Sequence, residues 1–323
     1  MEGVEIKNST VLVTGGAGFI GGHLVGELIK NKANVIVIEI KVHSKSIFSL
    51  NNLKNKVLLE LIDIRDKKKV FGFFNRFKLD YIFHLAAEPI VQEAYADPYK
   101  VFETNIMGTV NILEASRRTS NIKGIIVASS DKAYGETDKA YTEKSPLKAD
   151  HPYDVSKASA DLISQAYCKT YKIPVVVTRF GNVYGEGDLH FDRIIPGICE
   201  AVIKGKTLKV RSDGTYVRDY VYVKDVVDGY MFLLDNFDKV KGEAFNFSSS
   251  DTFSVLDVVK KAEEILKVKI PYKILNTAKN EIPYQHLDDA KIKKLGWKPN
   301  YNLENSLETV FAWYKNISTE RNN

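Results

Sequence analysis

The fold of this chain is decided by one stretch near its beginning, Ser9-Thr10-Val11-Leu12-Val13-Thr14-Gly15-Gly16-Ala17-Gly18-Phe19-Ile20-Gly21. A β-branched run ends in several glycines, and an apolar-periodic segment follows at once. This order predicts a strand, a tight turn and a helix, the context of a dinucleotide-binding glycine motif whose helix N-terminus faces a pyrophosphate. An ordinary glycine turn is the alternative. Glu39 favours the dinucleotide, because a ribose-binding carboxylate belongs at the end of the next strand, about twenty residues on.

The composition is that of an ordinary globular protein, with 44% hydrophobic and 27% charged residues. The net charge of +5 is scattered, and the basic run at residues 67–69 predicts a solvated helix face and no nucleic-acid partner. Cys168 and Cys199 are the only cysteines, and the sequence has no CxxC pair and no histidine cluster at metal spacing. We therefore expect no metal site and a reducing compartment. Without a leader or an apolar run of membrane-spanning length, a soluble cytoplasmic protein with no membrane partner is expected.

The first half of the chain alternates strand-like and helical segments. Strands are predicted over residues 10–13, 34–38, 57–61, 81–84, 124–129 and 175–179, and helices over 22–30, 67–77, 98–117 and 153–172. Apolar strands that alternate with helices predict an α/β fold with a doubly wound parallel Rossmann sheet. The phenylalanines at positions 71, 73, 74 and 77 are interpreted as core residues of one helix.

After residue 180 the alternation weakens, which predicts a smaller, interleaved C-terminal substrate lobe that closes over the sheet's carboxyl edge. Helices are predicted over residues 254–266, 288–295 and 303–316, and a strand over 244–248 would return to the main sheet. We assign residues 1–180, with 215–250, to the cofactor-binding Rossmann domain. Residues 181–214 and 251–323 are assigned to the substrate lobe.

Three segments follow predicted strands at the carboxyl edge, where open parallel sheets bind ligands. Asp63, next to Ile64, is predicted to bind an adenine edge, with a helix N-cap as the alternative. The second segment is His84-Leu85-Ala86-Ala87-Glu88, whose small alanines would let a cofactor lie close. The third is Ser129-Ser130-Asp131-Lys132-Ala133-Tyr134-Gly135. It brings a hydroxyl, a carboxylate and an ammonium to the place where substrate should meet nicotinamide, although a solvent-exposed turn is the alternative.

Tyr153 and Lys157 share one helix face at i, i+4 spacing. A nearby lysine ammonium favours the phenolate, so the pKa of Tyr153 is expected to fall towards the working range. Tyr153 would then act as a general base on a sugar hydroxyl while hydride leaves to NAD⁺.

These motifs identify the chain as similar to the extended short-chain dehydrogenases/reductases of the nucleotide-sugar epimerase/dehydratase group, over nearly its whole length. Tyr153-Asp154-Val155-Ser156-Lys157 resembles the group's YxxxK signature, residues 179–185 its R-x-x-N-x-Y-G loop, and residues 218–223 its RDYxxV segment. The resemblance implies NAD as cofactor, a nucleotide-diphosphate sugar as substrate, and a homodimer. The implied cofactor-binding residues are Gly15, Gly18, Phe19, Ile20, Gly21, Glu39, Asp63, Ile64, Leu85, Ala86, Ala87, Asn105, Tyr153 and Lys157. Glu88, Asn182 and Arg218 would bind the substrate.

The loop after the fifth strand separates two activities. Ser130-Asp131-Lys132 resembles the Asp-Lys version of the 4,6-dehydratase loop, found in the CDP-glucose type, and predicts catalysis by Ser130, Asp131, Lys132, Tyr153 and Lys157. Elimination of water across C5–C6 needs an acid and a base beyond the tyrosine, whereas a 4-epimerase needs neither. Two departures keep the epimerase open: residues 281–288 lack the family's usual arginine, and the chain is short for a CDP-glucose dehydratase.

Three further expectations follow. A non-catalytic scaffold would lose Tyr153, Lys157 or the loop hydroxyl, and all are present. An NADP-linked reductase is the other alternative, but Glu39 would repel a 2′-phosphate. Apolar positions 158, 162, 163, 166 and 167 predict a four-helix dimer interface through the 153–172 and 98–117 helices.

Overall fold

The computed structural model describes residues 6–119, 121–278 and 281–319. The strands are β1 (Thr10–Thr14), β2 (Asn34–Glu39), β3 (Leu58–Leu61), β4 (Tyr81–His84), β5 (Gly124–Ala128), β6 (Val175–Phe180), β7 (Asn182–Tyr184), β8 (Leu208–Val210), β9 (Val217–Tyr222), β10 (Ala244–Phe247), β11 (Thr252–Ser254) and β12 (Tyr272–Ile274). The helices are α1 (Phe19–Lys30), α2 (Ile47–Leu50), α3 (Lys67–Arg76), α4 (Val91–Ala96), α5 (Pro98–Phe102), α6 (Thr109–Arg118), α7 (Pro152–Tyr171), α8 (Ile194–Lys204), α9 (Val223–Asp235), α10 (Phe237–Val240), α11 (Val255–Leu266), α12 (Ala290–Leu295) and α13 (Leu303–Thr319). Two 3₁₀ turns, Leu53–Lys56 and Asp131–Tyr134, and a π-helical segment, Glu103–Gly108, complete the described elements.

The main sheet confirms the predicted doubly wound α/β fold. Its seven strands run parallel in the order β10-β6-β5-β4-β1-β2-β3. Every residue of β4 and β6 is buried, as expected for a sheet that helices cover on both faces. The strand order reverses direction between β1 and β4, which opens a crevice at their carboxyl ends where ligands bind in such folds.

The predicted helices are present with shifted ends. α1 begins at Phe19, three residues before the predicted start, because Gly18 has extended backbone and lies at the N-cap. The predicted 98–117 helix consists of α5, the π-helical segment and α6 in succession. Asp66 caps α3 by accepting from the Lys69 N–H at 3.0 Å. The N-cap alternative for Asp63 is therefore wrong.

The apolar side chains of α3 pack into the core as predicted, whereas those of α7 are not all at the surface as a dimer interface would require. Phe73 and Phe74 are buried, and Phe71 and Phe77 pack against the same cluster, which confirms the core interpretation. On α7, Ile163 and Tyr167 also pack against that cluster, and Ala158 is buried. Leu162 and Ala166 alone among the five predicted interface positions are exposed, because the helix turns its other apolar residues towards the sheet.

The second half of the chain builds a separate apolar cluster and returns once to the main sheet. β10 pairs with β6 at the sheet edge, from Ala244↔Val177 to Phe247↔Phe180, which confirms the predicted returning strand. α8, α11 and α13 surround the second cluster. Ser254 and Asp257 form a capping box that starts α11. The strand β9 and the helices α8 and α9 have no counterpart among the predicted elements.

Candidate functional site

The glycine loop between β1 and α1 has the shape that the sequence predicts. Gly15 has a φ of +72°, and a Cβ there would lie 2.8 Å from the backbone nitrogen of Ala86. A Cβ on Gly21 would collide with the Gly15 carbonyl oxygen. Gly18 caps α1 without any side-chain hydrogen bond in the described part of the chain. The first N–H groups of α1 therefore stay available to an anionic group.

Glu39 lies against this loop at the end of β2. Its carboxylate accepts from the Ile40 N–H at 2.9 Å and from the Ala17 N–H. Burial raises the pKa of Glu39, and the two backbone bonds partly oppose the shift. The structure thus places the predicted ribose-binding acid beside the glycines.

Asp63 and Ile64 follow β3 with unequal exposure. Arg65 donates from Nε to Asp63 Oδ1 at 3.1 Å and from Nη2 to Asp63 Oδ2 at 2.6 Å. These hydrogen bonds hold the pKa of the Asp63 carboxyl below its usual range. About a third of the Asp63 side chain remains exposed (32%). Ile64 is buried under the π-helical segment, where a Cβ on Gly108 would touch its side chain. Only backbone atoms of Ile64 are therefore placed to meet a ligand.

A hydrogen-bonded histidine fixes the end of β4 beside the glycine loop. His84 Nδ1 lies 2.7 Å from Thr14 Oγ1, and Nε2 lies 3.0 Å from Thr109 Oγ1. Burial and the charge of Lys157 lower the pKa of His84 to about 3, so the ring is neutral. Thr14 also accepts from the Ala86 N–H at 3.2 Å. The predicted cofactor residues Leu85, Ala86 and Ala87 are held here, all partly exposed.

Asn105 and Glu88 are engaged with other parts of the protein. Asn105 Oδ1 accepts from the Glu88 N–H at 2.8 Å, and Nδ2 donates to Ser156 Oγ at 2.9 Å and to the Glu88 carbonyl at 3.2 Å. The Glu88 carboxylate pairs with Lys100 at 2.8 Å. Asn105 is only 2% exposed. Asn105 therefore holds the backbone at Glu88 against Ser156 on α7. The contact of Asn105 with the cofactor and the contact of Glu88 with the substrate stay predictions.

The loop after β5 brings its predicted residues together beside α7. Ser130 Oγ donates to Asp131 Oδ1 at 2.9 Å, and both residues are buried. The Ser130 hydroxyl also hydrogen-bonds the phenol of Tyr153. Burial raises the pKa of Asp131, while the Lys132 charge and the Ser130 hydrogen bond lower it. A hydroxyl thus connects the phenol to a carboxyl that is prone to carry a proton.

The expected fall in the Tyr153 pKa is wrong for this structure. Burial raises the pKa of Tyr153, with partial opposition from the Arg193 charge and the Ser130 hydrogen bond. The Lys157 amine donates to the carbonyl of Ala128 at the end of β5. Burial also lowers the pKa of Lys157 to about 8. The i, i+4 spacing therefore predicts that Tyr153 and Lys157 share a helix. It does not predict whether burial or charge determines the pKa of Tyr153.

Asn182 and Arg218 lie on neighbouring strands, β7 and β9. Arg218 is buried and donates to the Val217 carbonyl at 2.8 Å. Glu281, from the segment without the family's usual arginine, lies 3.6 Å from the Arg218 guanidinium. The same segment is anchored by His286, whose Nδ1 lies 2.8 Å from Asp219. The segment in which the resemblance implies a second arginine therefore supplies an acid, Glu281, next to Arg218.

Two residues of the site escaped the sequence reasoning. Gln285, fully buried, accepts from the Lys132 ammonium at 3.0 Å. Asp154, next to Tyr153, is buried, and its pKa is raised to about 6 by burial and by Asp131, against the Lys132 charge. Asp154 could have been found from the sequence, because it lies inside the Tyr153-Asp154-Val155-Ser156-Lys157 signature. Gln285 lies more than a hundred residues from the loop it contacts, and no local pattern marks it.

The sequence predicts neither a metal site nor a membrane span. Within the described ranges no three histidine, cysteine or acidic side chains gather as a metal site would require. No described helix is both long and apolar enough to cross a membrane.

The comparisons with known proteins agree with the fold. Residues 11–248 match the NAD dependent epimerase/dehydratase family, and the chain belongs to that family. It is 31% identical to a trifunctional UDP-glucose 4,6-dehydratase/UDP-4-keto-6-deoxy-D-glucose 3,5-epimerase/UDP-4-keto-L-rhamnose-reductase of Arabidopsis thaliana, over 95% of this chain and 47% of that protein. The chain thus spans about half the length of that plant relative. It is also 31% identical to the dTDP-glucose 4,6-dehydratase of Neisseria meningitidis, over 96% of this chain and 94% of the relative.

Solved structures of both activities share the whole fold. A UDP-glucose 4-epimerase from Thermotoga maritima with UDP-glucose superposes with a TM-score of 0.87 at 31% identity, over 96% of this chain and 99% of the other. A dTDP-glucose 4,6-dehydratase from Streptomyces venezuelae with NAD bound has a TM-score of 0.87 at 27% identity, over 96% and 98%. The family resemblance drawn from the motifs is confirmed.

NAD is the cofactor of this family, and the residues of this chain fit it. A Cβ on Gly15 or Gly21 would clash with neighbouring backbone atoms, so glycine at both positions permits the tight turn that brings the α1 N-terminus to a pyrophosphate site. The uncapped N-terminus of α1 supplies N–H donors, and Glu39 supplies the carboxylate that a ribose requires. When bound, NAD supplies the acceptor and later the donor of a hydride.

Proposed function

We propose that this chain is an NAD-dependent nucleotide-sugar 4,6-dehydratase, which forms a nucleoside-diphosphate 4-keto-6-deoxy sugar. One observation carries the proposal: a buried Ser130–Asp131 hydrogen bond beside Lys132 and next to the Tyr153 phenol. Elimination of water needs an acid and a base in addition to the group that oxidises C4. Similarity to the Neisseria meningitidis dehydratase over nearly the full length of both chains supports it.

The first step is oxidation at C4. Tyr153 takes the proton of the C4 hydroxyl as the C4 hydrogen leaves with its electron pair. The hydrogen bond with Ser130 lowers the pKa of the Tyr153 phenol. The positive charge of Arg193 acts in the same direction. Tyr153 therefore has two neighbours that oppose the effect of burial, and Lys157 keeps its amine at the Ala128 carbonyl.

The second step is loss of water across C5 and C6. The C4 ketone acidifies the C5 hydrogen, so a modest base removes that proton. The Asp131 carboxylate, whose pKa burial raises, is proposed to be the base that takes the C5 proton. Lys132 lies beside Asp131, and its ammonium is proposed to give a proton to the departing C6 hydroxyl, which leaves as water. A hydride then returns to C6 and a proton to C5, which completes the 4-keto-6-deoxy sugar.

The substrate's diphosphate is proposed to bind Asn182 and Arg218. Asn182 lies in the lobe predicted over 181–214 and 251–323, and Arg218 lies in the 215–250 segment, on the strand β9 that pairs with β7. Arg218 is buried but only partly neutralised, because Glu281 lies 3.6 Å away and no shorter ion pair to Arg218 is present in the described ranges. A guanidinium in such a place suits a diphosphate oxygen. A cytoplasmic location stays a prediction.

We also propose a homodimer through α7 and the α5–α6 helix. Leu162 on α7 is 53% exposed, and Met107, in the π-helical segment before α6, is 50% exposed. Tyr99 and Tyr171 add further exposed aromatic surface on the same helices. Apolar surface of this kind, on two helices that pack side by side, suits a four-helix interface.

A 4-epimerase is the second candidate, supported by the Thermotoga maritima structure with its high similarity. The deciding experiment is incubation of the purified protein and NAD with a panel of nucleotide sugars, followed by NMR of the sugar. A 4-keto-6-deoxy product is expected. A sugar inverted at C4 with its C6 oxygen retained would replace the dehydratase by the epimerase.

A further inference from the structure

The amine of the catalytic loop is held from the other lobe. Lys132 Nζ donates to Gln285 Oε1 at 3.0 Å, across 153 positions of sequence. Gln285 is fully buried, and its backbone N–H donates to the Val217 carbonyl at 3.1 Å, next to Arg218. Lys132 and the proposed diphosphate contact are therefore joined through one short segment.

The other end of the Gln285 amide is the Nε2 donor. Among the described residues, the buried Nε2 has no hydrogen-bond partner. The orientation of the amide is settled by chemistry, because an ammonium has only donors and must face Oε1. A buried donor without a partner costs about 1–3 kcal/mol and requires an explanation. An acceptor oxygen from a bound molecule would satisfy it.

We propose that Gln285 is a positioning residue for the elimination step, holding the Lys132 ammonium with Oε1 while Nε2 donates to a hydroxyl of the bound sugar. This inference rests on the proposed dehydratase function, since Gln285 acts through Lys132. A lysine side chain has four rotatable bonds and loses about 1.5–2 kcal/mol of conformational freedom when it is fixed. Contact with Gln285 fixes it before the sugar binds, so the proton transfer begins from an aligned amine.

The test is a double-mutant cycle with Lys132→Met, Gln285→Met and the double variant, all with NAD. Two readouts on the sugar separate the steps. Product NMR measures elimination, and a borodeuteride quench labels C4 in sugars that are oxidised but still carry the C6 oxygen. Gln285→Met is expected to slow elimination by about 10–100-fold and to leave C4 oxidation intact. At saturating sugar the double variant should eliminate water no more slowly than Lys132→Met, because both changes remove the same Lys132–Gln285 contact, and the lost contact between Nε2 and the sugar should raise KM alone.

A second variant separates the two ends of the amide. Gln285→Glu keeps an acceptor for Lys132 and loses the donor, so kcat should stay within about threefold while KM rises about tenfold. This variant also carries the test if Gln285→Met does not fold. A matched control is Asn55→Leu in the 3₁₀ turn Leu53–Lys56, which removes an exposed amide bonded to Asn52 and should leave both steps unchanged.

The outcomes distinguish a failure of the Gln285 inference from a failure of the proposed dehydratase function. A C4-inverted product from the unmodified protein, or full turnover of Lys132→Met, would overturn the elimination chemistry and this inference with it. Full turnover of Gln285→Met beside a slow Lys132→Met would overturn the inference alone. Multiplied losses in the double variant, or a Gln285→Glu variant with lower kcat at unchanged KM, would also overturn it.

Discussion

Asp161 and Arg179 form a two-pronged ion pair that joins α7 to β6 inside the protein. Arg179 Nε and Nη2 donate to the two Asp161 oxygens at 2.8 and 3.0 Å. Neither side chain is more than 2% exposed. Arg179 Nη1 also donates to Tyr134 Oη at 2.6 Å. One buried charge pair therefore holds both elements that carry the proposed active-site groups, the helix of Tyr153 and the turn that follows Ser130.

Asp161→Asn should destabilise the fold strongly, because it leaves the Arg179 charge buried without its counter-ion. Removal of one partner from a buried pair costs about 3–5 kcal/mol. Denaturant unfolding monitored by circular dichroism measures the change. The control is Asp238→Asn, whose pairing with Lys241 lies at the surface and is worth under about 1 kcal/mol. Equal losses from the two variants would contradict the role of the buried pair.

Substitutions at the proposed catalytic residues should divide by step. Tyr153→Phe removes the base for the C4 hydroxyl and should abolish oxidation of the sugar. Asp131→Asn and Lys132→Ala should retain oxidation and lower elimination by about 10²–10⁴-fold, the usual effect of losing a positioned acid or base. The labelled-quench and NMR readouts described above apply. If both loop variants keep full turnover, the Asp-Lys pair is structural and the epimerase reading replaces the dehydratase.

Glu39 should determine the choice between NAD and NADP. Glu39→Ala removes a charged acceptor for the ribose hydroxyls, and NAD should bind roughly 10-fold more weakly, since a hydrogen bond to a charged group is worth about 1.5–3 kcal/mol. Isothermal titration with each dinucleotide measures both affinities. Glu60→Ala on β3, which loses only a surface contact with Arg76, is the control. Tighter binding of NADP than NAD by the unmodified protein would refute the assignment.

Asp154→Asn should stabilise the protein in a pH-dependent way. The pKa of Asp154 is raised from 3.8 to about 6, so its ionisation opposes folding. The unfolding free energy therefore falls as pH rises from 3.8 to about 6 and stays reduced above that range. The variant should gain about 2–3 kcal/mol near neutral pH and lose that gain at about pH 4. Asp150→Asn, at an exposed neighbouring carboxylate, should show little change, and a variant that is less stable at both pH values would contradict the prediction.

Leu162→Glu should break the proposed dimer. A carboxylate placed in an apolar four-helix interface loses its hydration without gaining a partner, so association should weaken by several kcal/mol, about 10³-fold or more. Light scattering at micromolar concentration measures the mass. Leu58→Glu on β3, an exposed leucine away from both helices, is the control. A monomeric unmodified protein would refute the dimer itself.

The predicted order of strands and helices survived because it depends on local periodicity. The run of Val11 to Val13 and the glycines after it specify strand and turn without help from distant residues. The elements that were missed, such as β9 and α9, lie where strand and helix follow each other without a turn signal. Val223 begins α9 directly after Tyr222 ends β9.

Within the site, residue types were easier to predict than their electrostatics. The position of Glu39 at the end of β2 could be predicted because the fold fixes where the second strand ends. The pKa of Tyr153 depends on how much water the surrounding chain excludes, and helical spacing carries no information on that. The partner of Lys132 could not be predicted either, since Gln285 reaches it only through the tertiary fold.

The seventh strand of the main sheet has a consequence for biosynthesis. β6 emerges from the ribosome with one edge open, and β10 covers that edge only after the intervening substrate-lobe elements have been made. An open strand edge pairs readily with other chains. A nascent chain that ends before residue 244 therefore exposes the edge of β6, where another chain or a chaperone can pair with it.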